Sequence, residues 1–295
     1  AVADVSCVTT IQGAAAATMG IEAFARGEVT VTPLQDLHKR LRFYLVRPRR
    51  WHSNLRRDTL ARSVQGSNAV DGYPADVEAV AALLEEEEPL KMPAETRLAL
   101  AGYRDAMAYV LELADKQPEL DASLIGALHF VAMKRDLAKQ PGRWRPGDGL
   151  VECQDGNVVY HAPERERLDQ LMAAALDWVK ADTGPVVVRA SMAHLNLALI
   201  HPFTHGNGRV ARCAHTFVLA HYGLVAPEFL SIEEYVGDHP VEYGEALTEV
   251  SQGQWSPERS VEPWLRFCLT AHYRQAQRLL HRIQQVEALW DRCQQ

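Results

Sequence analysis

The chain has 295 residues, of which 47% are hydrophobic and 23% are charged, and its formal net charge at pH 7 is −7. This length and composition are typical of a soluble globular protein with one large domain, or one domain and a small partner. The acidic balance and the dispersed basic residues argue against nucleic-acid binding, and no apolar run reaches the ~20 residues that a membrane-spanning helix needs.

The cysteines are scattered and form no CxxC pair. They are Cys7, Cys153, Cys213, Cys268 and Cys293. This pattern favours free thiols in a reducing compartment over a disulfide framework or a cysteine zinc site. The N-terminus also lacks the basic-then-apolar order of a signal peptide. We therefore expect a cytoplasmic protein without a membrane partner.

Hydrophobic periodicity predicts a mainly α-helical fold. Residues 1–60 are less regular and predict one or two helices and a basic turn at 47–50. Helical spacing then recurs in the segments 75–88, 94–115, 121–134, 164–182, 185–200 and 208–223, and in a long last helix from about Glu262 to Cys293. Pro89 and Pro93 are stop signals after the first of these segments, and Asp121 is a predicted N-cap. The acidic run 85–88 is interpreted as a solvated helix end.

Residues 142–163 break the helical pattern. Gly, Pro and Asp-Gly clusters surround two short apolar stretches there, and "QDGNVVY" (154–160) has the turn chemistry of a β-hairpin. The fold class that we predict is therefore mainly α, a helical bundle with a short β-hairpin flap.

The stretch "IHPFTHGNGRVARCAHTF" joins two helical segments and carries the polar groups of a phosphate site. Its glycines allow successive N–H groups to point into one concavity, and a helix that begins near Gly208 adds its positive dipole end. Asn207 can donate an amide N–H to a phosphate oxygen. Arg209 and Arg212 lie on one helix face, where two guanidiniums suit a diphosphate or triphosphate. His201 is a proton acceptor near neutral pH.

Other interpretations of the same residues stay open. The stretch could be a simple helix–loop–helix corner, with glycine caps, an anchoring Phe203 and arginines in surface ion pairs. It could also hold a metal, because His201 and His205 are four residues apart and His194 and His215 are near in sequence. A loop after the first histidine and the absence of an HExxH pattern argue against that site. His194 and His215 are expected on helix faces, bonded to backbone or solvent.

The motif "HPFTHGNGRVAR" closely resembles the signature of the Fic family, HxFx(D/E)GNGRxxR, and the resemblance extends over about residues 60–290. It implies a Fic-type helical bundle in three parts. Residues 1–92 would form an N-terminal helical region with an inhibitory segment at about 63–73. Residues 93–260 would form the catalytic core, and 261–295 a long C-terminal helix packed on that core.

The resemblance also implies an activity, which is transfer of AMP from ATP, the co-substrate, to a hydroxyl group of a protein. His201 would take the proton from the attacking hydroxyl. The phosphates would be held by Gly206, Asn207, Gly208, Arg209 and Arg212, with Arg209 on the leaving diphosphate and Arg212 on the terminal phosphate. Tyr243 would contact the nucleotide. The partner would be a protein with a Ser, Thr or Tyr hydroxyl, or a small molecule, with a homodimer as a possible assembly.

Two further segments take roles from the same resemblance. The flap, with Val158, Val159 and Tyr160, would dock the target as an added strand. "GSNAVDGY" (66–73) resembles the inhibitory motif (S/T)xxxE(G/N), with Ser67, Asp71 and Gly72 at its defined positions. Asp71 would then pair with Arg212 and keep the terminal phosphate from seating. Asp is shorter than Glu by about 1.5 Å, so we expect a weaker contact or one through water. In the alternative, Ser67 and Asp71 only cap and solvate a helix.

Three positions depart from the family pattern. His205 replaces the carboxylate that binds Mg²⁺, and an imidazole is a poor ligand for this hard ion. His239 replaces an Asn beside the nucleotide base, and Gly244 replaces a second Tyr. These changes fit an AMP transferase with altered use of Mg²⁺ or Mn²⁺, or a Fic enzyme with another phosphate-containing donor or a small-molecule substrate. They also fit a non-catalytic relative that binds a nucleotide or a partner. His205 is in addition a candidate second acid or base.

Overall fold

The computed structural model describes residues 31–45, 51–85, 92–116, 118–152, 156–181, 184–222, 229 and 231–293. Within these ranges the protein is mainly α-helical with one two-stranded antiparallel sheet, as the sequence predicts. The helices are α1 Val31–Leu45, α2 His52–Val70, α3 Val77–Leu84, α4 Ala94–Lys116, α5 Ala122–Met133, α6 Leu168–Lys180, α7 Val186–Ile200, α8 Asn207–His221, α9 Glu233–Asp238, α10 Pro240–Ser251 and α11 Glu262–Cys293. The strands are β1 Leu150–Glu152 and β2 Val158–His161.

Most predicted helices are present, with shifted ends. Asp121 is the N-cap of α5, and its side chain accepts a hydrogen bond of 2.7 Å from the Leu124 N–H. α3 ends at Leu84, four residues before the predicted end, and most of the acidic run and Pro89 lie outside the described residues. The segment predicted at 164–182 begins with a short 3-10 turn before α6.

α8 lies at the centre of the fold. It packs against α7, α4 and α5, and it is buried on all its faces along most of its length. A helix that is enclosed in this way normally carries apolar residues all round. Here Arg209, Arg212 and His215 are buried beside Val210 and Phe217. Buried polar groups are costly without partners, so the surrounding elements must supply hydrogen bonds and charge.

α11 packs against α1, α7 and α10. Trp264 on its first turn is fully buried, and its indole N–H donates to the Ser191 carbonyl at 2.8 Å. Cys213 and Cys268 are buried free thiols, whereas Cys7 and Cys153 lie outside the described residues. Within the described ranges, no helix combines the length and apolar character needed to cross a bilayer.

The backbones of α2 and α9 approach each other very closely where the two helices cross. The predicted inhibitory residues follow directly after this crossing in the chain. A Cβ atom on Gly66 would lie 2.3 Å from the Glu233 carbonyl oxygen, and one on Gly237 would lie 2.3 Å from the Gly66 Cα. The hydroxyls of Ser63 and Ser231 are hydrogen-bonded at 3.0 Å beside this crossing. The backbones therefore fix the position at which α2 ends.

The flap hairpin pairs Leu150 with His161 and Val151 with Tyr160. Its predicted turn lies partly outside the described residues, because 153–155 are not described. The outer edge of β2 is bonded to the segment after α10, since the His161 N–H donates to the Gly253 carbonyl at 2.9 Å. Within the described part of the chain, β1 has the uncovered edge.

Candidate active site

A short loop between α7 and α8 carries most of the predicted site. His201 directly follows α7 and has φ 53° and ψ 58°, and α8 begins after Gly206, which has φ 77°. A positive φ is uncommon for a residue other than glycine. Asn207 closes the loop, because its side chain accepts from the Phe203 N–H at 2.9 Å and donates to the Phe203 carbonyl at 2.8 Å. The Asn207 amide therefore supports the loop here, and its bond to a phosphate stays a prediction.

The side chain of His129 on α5 binds and supports the same loop. Its Nε2 donates to the His205 carbonyl at 2.9 Å, and its Nδ1 accepts from the Gly142 N–H at 2.7 Å. Its ring stacks on the fully buried Phe203, with 3.7 Å between centroids. These bonds require a neutral ring, and burial lowers the pKa of His129 to about 4. This role of His129 was not predicted from the sequence, although a lone histidine on an apolar helix face was a signal.

Asp71, just after the last residue of α2, lies between the two motif arginines. Its Oδ1 is 2.9 Å from Arg212 Nη2, and its Oδ2 is 3.3 Å from Arg209 Nε. A Cβ atom on Gly208 would lie 3.2 Å from Oδ1, so the carboxylate also stands over the first turn of α8. Guanidiniums and a helix N-terminus favour negative charge. The protein's own carboxylate thus occupies the expected anion site.

Arg212 is fully buried and its bonds come from the predicted inhibitory segment. Its Nε donates to Ser67 Oγ at 2.6 Å, and its Nη2 donates to the Ser67 carbonyl at 3.0 Å and to Asp71. Burial, the largest single cause, acts to lower the pKa of Arg212, but the charge and hydrogen bond of Asp71 together with Tyr243 and Tyr103 outweigh it, and the pKa is raised. The expected Asp71–Arg212 contact is present and direct. The contact with Arg209 was not predicted, and Gly72 takes the left-handed conformation in the turn that follows.

His201 is half-buried at the mouth of the loop. Its Nδ1 lies 3.3 Å from the Ala198 carbonyl and donates to it, which leaves Nε2 as the proton acceptor. Burial lowers the pKa of His201 to about 4; the Ala198 bond opposes this shift, and the charges of Arg145 and His205 add to it. A histidine in this state is neutral near pH 7 and can accept a proton.

A cavity of about 780 Å³ opens between the flap and the loop. His201 and the exposed His205 line it together with Val151 and Glu152 of β1. The flap residues predicted from the sequence to dock the target are not among the residues that line this cavity. Val158 and Val159 are exposed, whereas Tyr160 is buried and its hydroxyl donates to the Leu199 carbonyl at 2.6 Å. This hydrogen bond anchors the flap to α7.

The residues predicted near the nucleotide base lie around α10. Tyr243 is buried close to Arg212, and its hydroxyl is 3.0 Å from His194 Nε2. The His239 ring stacks on Tyr235 with 3.9 Å between centroids. A Cβ atom on Gly244 would meet nothing within 4 Å. A nucleotide contact by Tyr243 therefore stays a prediction, since its ring is packed inside the fold.

The buried histidines bond to side chains, which corrects the expectation of backbone or solvent partners. His194 contacts Tyr243, and His215 Nε2 lies 2.9 Å from His272 Nε2. No group of three or more His, Cys, Asp or Glu that could hold a metal ion occurs among the residues that the structure describes.

The loop and the first turn of α8 offer few ligands for Mg²⁺. The segment 201–212 contains no Asp or Glu, and its side-chain oxygens belong to Thr204 and Asn207. The Asn207 oxygen already accepts from the Phe203 N–H. Mg²⁺ binds through carboxylates, phosphates and water. The side chains of this segment therefore do not fit a resident Mg²⁺ ion.

Known proteins with named functions share parts of this sequence. A protein adenylyltransferase Fic of Nematostella vectensis is 25% identical over 208 residues, which cover 68% of this chain and 44% of the relative. A protein adenylyltransferase fic-1 of Caenorhabditis briggsae is 30% identical over 116 residues, which cover 37% and 22%. The chain thus spans less than half the length of these curated relatives.

Solved structures share the fold. A Fic family protein of Desulfovibrio desulfuricans G20 superposes with a TM-score of 0.67 at 23% identity, over 85% of this chain and 75% of that one. Fic-1 of C. elegans superposes with a TM-score of 0.68 at 21% identity, over 91% and 76%. The Fic/DOC family model matches residues 119–219, which include α5, the flap, α6, α7, the loop and most of α8. Residues 119–219 therefore form a Fic/DOC family domain.

Proposed function

We propose that this chain transfers AMP from ATP to a hydroxyl group of a target protein, and that its 67–72 segment inhibits the reaction. One observation carries the proposal. Asp71 is seated between Arg209 and Arg212 at the N-terminus of α8, where the oxygens of a polyphosphate would find the same partners. The names of the relatives, protein adenylyltransferases, support the choice of AMP as the transferred group.

In the proposed reaction, His201 at the start of the loop accepts a proton, and the groups at the start of α8 stabilise the leaving group. The hydroxyl oxygen of the target attacks the α-phosphorus of ATP, and its proton passes to Nε2 of His201. The bond between the α-phosphorus and the bridging oxygen breaks, and its electron pair leaves with the diphosphate. Arg209, Arg212 and the N–H groups at the start of α8 stabilise that charge. The rate gain comes from positioning and charge stabilisation.

A second candidate is a Fic-type transferase with another phosphate-containing donor, or with chemistry that does not use Mg²⁺. The absence of Asp and Glu from 201–212 favours it. It keeps His201, Arg209 and Arg212 in the roles given above, and it changes the donor, the metal or the acceptor, which would then include small molecules. A non-catalytic relative would bind the nucleotide and transfer nothing.

The first experiment is calorimetric binding of ATP to the wild type and to Asp71→Gly, each with Mg²⁺, Mn²⁺ or EDTA. We expect the variant to bind ATP about tenfold more tightly or better, which is ~1.4 kcal/mol, because both arginines lose their internal anion. Asp76→Gly is the matched control, since the Asp76 side chain caps nothing at the start of α3. Equal affinities in wild type and Asp71→Gly would remove the inhibitory role.

GTP, UTP and CDP-choline go through the same titration. Tighter binding of one of them than of ATP would replace the first candidate by the second.

The role of His201 is tested in the Asp71→Gly background with labelled ATP. We expect His201→Ala to lower label transfer about 100-fold, the size typical of a lost general base, with ATP binding unchanged. Transfer at the parent rate would show that His201 is not the base. Tight ATP binding by Asp71→Gly without any label transfer would favour the non-catalytic reading.

A further inference from the structure

Arg145 stands between the flap and the catalytic loop, and it is 2% exposed. Its Nε donates to the His201 carbonyl at 2.9 Å, and its backbone N–H donates to the Pro202 carbonyl at 2.8 Å. Its two terminal nitrogens donate to the carbonyls of Gly147 and Pro163. One residue thus joins the loop to both ends of the flap segment.

The surroundings of this guanidinium are unusual for a buried cation. Its three hydrogen bonds end on backbone carbonyls, and Arg145 takes part in no ion pair among the described residues. The charged groups that act on it from further away are Asp148, Arg165 and Glu166. A buried charge without a counter-ion lowers stability, so a neutral side chain would serve better if packing were its only task.

Two of the carbonyls that Arg145 binds belong to His201 and Pro202, at the point where the loop leaves α7. His201 has φ 53°, a conformation that costs ~1–3 kcal/mol for a residue with a side chain. Such a conformation persists only where the surroundings over-determine it. Arg145 fixes the carbonyls of His201 and of the next residue, and therefore the direction in which the His201 ring leaves α7.

We propose that Arg145 is the positioning residue for His201: it holds the base in its left-handed conformation at the edge of the flap. This inference rests on the proposed function for the reaction that His201 performs. The side-chain hydrogen bonds of Arg145 end on backbone carbonyls and none reaches the His201 ring, so Arg145 acts through the loop backbone. The charged groups that face His201 are Arg145 and His205, and both act against a second proton on its ring.

The kinetic test uses Arg145→Met in the Asp71→Gly background, with labelled ATP. We expect kcat to fall about 100-fold, the size of effect that a displacement near 1 Å produces, while KM for ATP changes less than about threefold. Arg209 and Arg212 do not depend on Arg145, so ATP binding persists. In Arg145→Ala, free guanidinium ion is expected to restore part of kcat.

Arg189→Met is the matched control. Arg189 is equally buried and its Nε donates to the Val179 carbonyl at 2.8 Å, but it lies twelve positions before His201 on α7. We expect this variant to lose stability and to keep kcat. Unchanged kcat in Arg145→Met would overturn the proposal, and so would an equal loss in Arg189→Met without guanidinium rescue of Arg145→Ala.

A second measurement needs no transfer activity. The His201 ring is titrated by NMR in histidine-labelled wild type, Arg145→Met and Arg145→Lys, with His201→Gln for assignment. We expect the midpoint to rise in Arg145→Met, because a nearby cation is gone, and to stay low in Arg145→Lys. The same midpoint and ring environment in all three proteins would overturn the positioning role. If the Asp71→Gly parent transfers nothing, the proposed function fails, while a shifted midpoint still supports the action of Arg145 on His201.

Discussion

At the scale of single residues, the contact between Asp71 and the two arginines sets the charge of the candidate site. One carboxylate faces two guanidiniums, so the pocket keeps a net positive charge while Asp71 is in place. Asp71 remains 22% exposed, which leaves a path for an incoming anion. A polyphosphate carries more negative charge than a single carboxylate and can engage both arginines at once. Under the proposed function, we therefore expect Asp71 to weaken donor binding without closing the site.

His205 is the residue at which the metal requirement can be tested. We expect His205→Glu, in the Asp71→Gly background, to raise the ratio of label transfer in Mg²⁺ to transfer in EDTA by about tenfold, because a carboxylate oxygen is the ligand that Mg²⁺ prefers. His205→Gln serves as the neutral control and is expected to leave that ratio near the parent value. Loss of transfer in both conditions would instead show that His205 has its own part in the reaction.

The motif residues could be found from the sequence because they are close together in it. Arg209 and Arg212 lie three positions apart on α8, and His201 precedes the same helix by one short loop. The partners that hold them come from distant segments. The sequence does not pair His129 with the His205 carbonyl or Arg145 with the His201 carbonyl. Every residue has a backbone carbonyl, so residue types do not show which one accepts a hydrogen bond.

At the scale of elements, the crossing of α2 and α9 holds the predicted inhibitory segment in place. The two backbones approach so closely at Gly66 and Gly237 that no side chain fits between them. Contact of this kind depends on small residues at both positions. Relief of inhibition is therefore expected from movement at Asp71 and Gly72, after the end of α2, while the helix itself stays docked.

A methyl group at the crossing tests this arrangement. We expect Gly66→Ala to lower the free energy of unfolding by ~1–3 kcal/mol, as overpacking does, and to raise ATP affinity because α2 is pushed from α9. Gly244→Ala on α10 is the matched control. Its Cβ atom would meet nothing, so a gain of ~0.5–1 kcal/mol is expected from helix propensity. Denaturant unfolding and calorimetry measure both effects; a Gly66→Ala protein as stable as wild type would contradict the crossing.

The elements that were missed are the ones whose signals are weak. α9 has only six residues, and α10 begins at Pro240 directly after it, so neither shows a long apolar period. The hairpin was predicted from turn chemistry, but the side of it that faces the cavity was not. Which strand lies at the edge depends on the bond between His161 and Gly253, which joins residues far apart in the chain.

At the scale of the whole molecule, the core is unusual for its buried imidazoles. Burial is the main cause that lowers the pKa values of His129 and His201 to about 4, and it also lowers those of His194 and His215 well below their usual range. His215 lies on α8, His129 and His194 lie on helices packed against it, and His201 lies in the loop before it. His129, His194 and His215 bond to another side chain or to the loop backbone. The fold thus holds neutral histidines around the site at neutral pH.

This arrangement makes stability depend on pH. Above the unfolded-state pKa of ~6.5, these rings are neutral in both states and the folded protein carries no penalty. As pH falls from about 6.5 towards about 4, these histidine rings bind protons in the unfolded chain but stay neutral in the folded chain. The free energy of unfolding therefore falls. Each such ring contributes up to ~1.4 kcal/mol per pH unit. Glu233, whose pKa burial raises, acts in the opposite direction.

Denaturant unfolding between about pH 8 and about pH 5 measures this dependence. We expect a flat region above about pH 7 and a steep loss below it. His215→Gln keeps an amide beside His272 and removes one titrating ring, so its slope below pH 6.5 should be smaller than that of the wild type by up to ~1.4 kcal/mol per pH unit. A wild-type stability that stays level down to about pH 5 would mean that these rings accept protons inside the fold, and that His201 lacks the neutral surroundings on which its role as base depends.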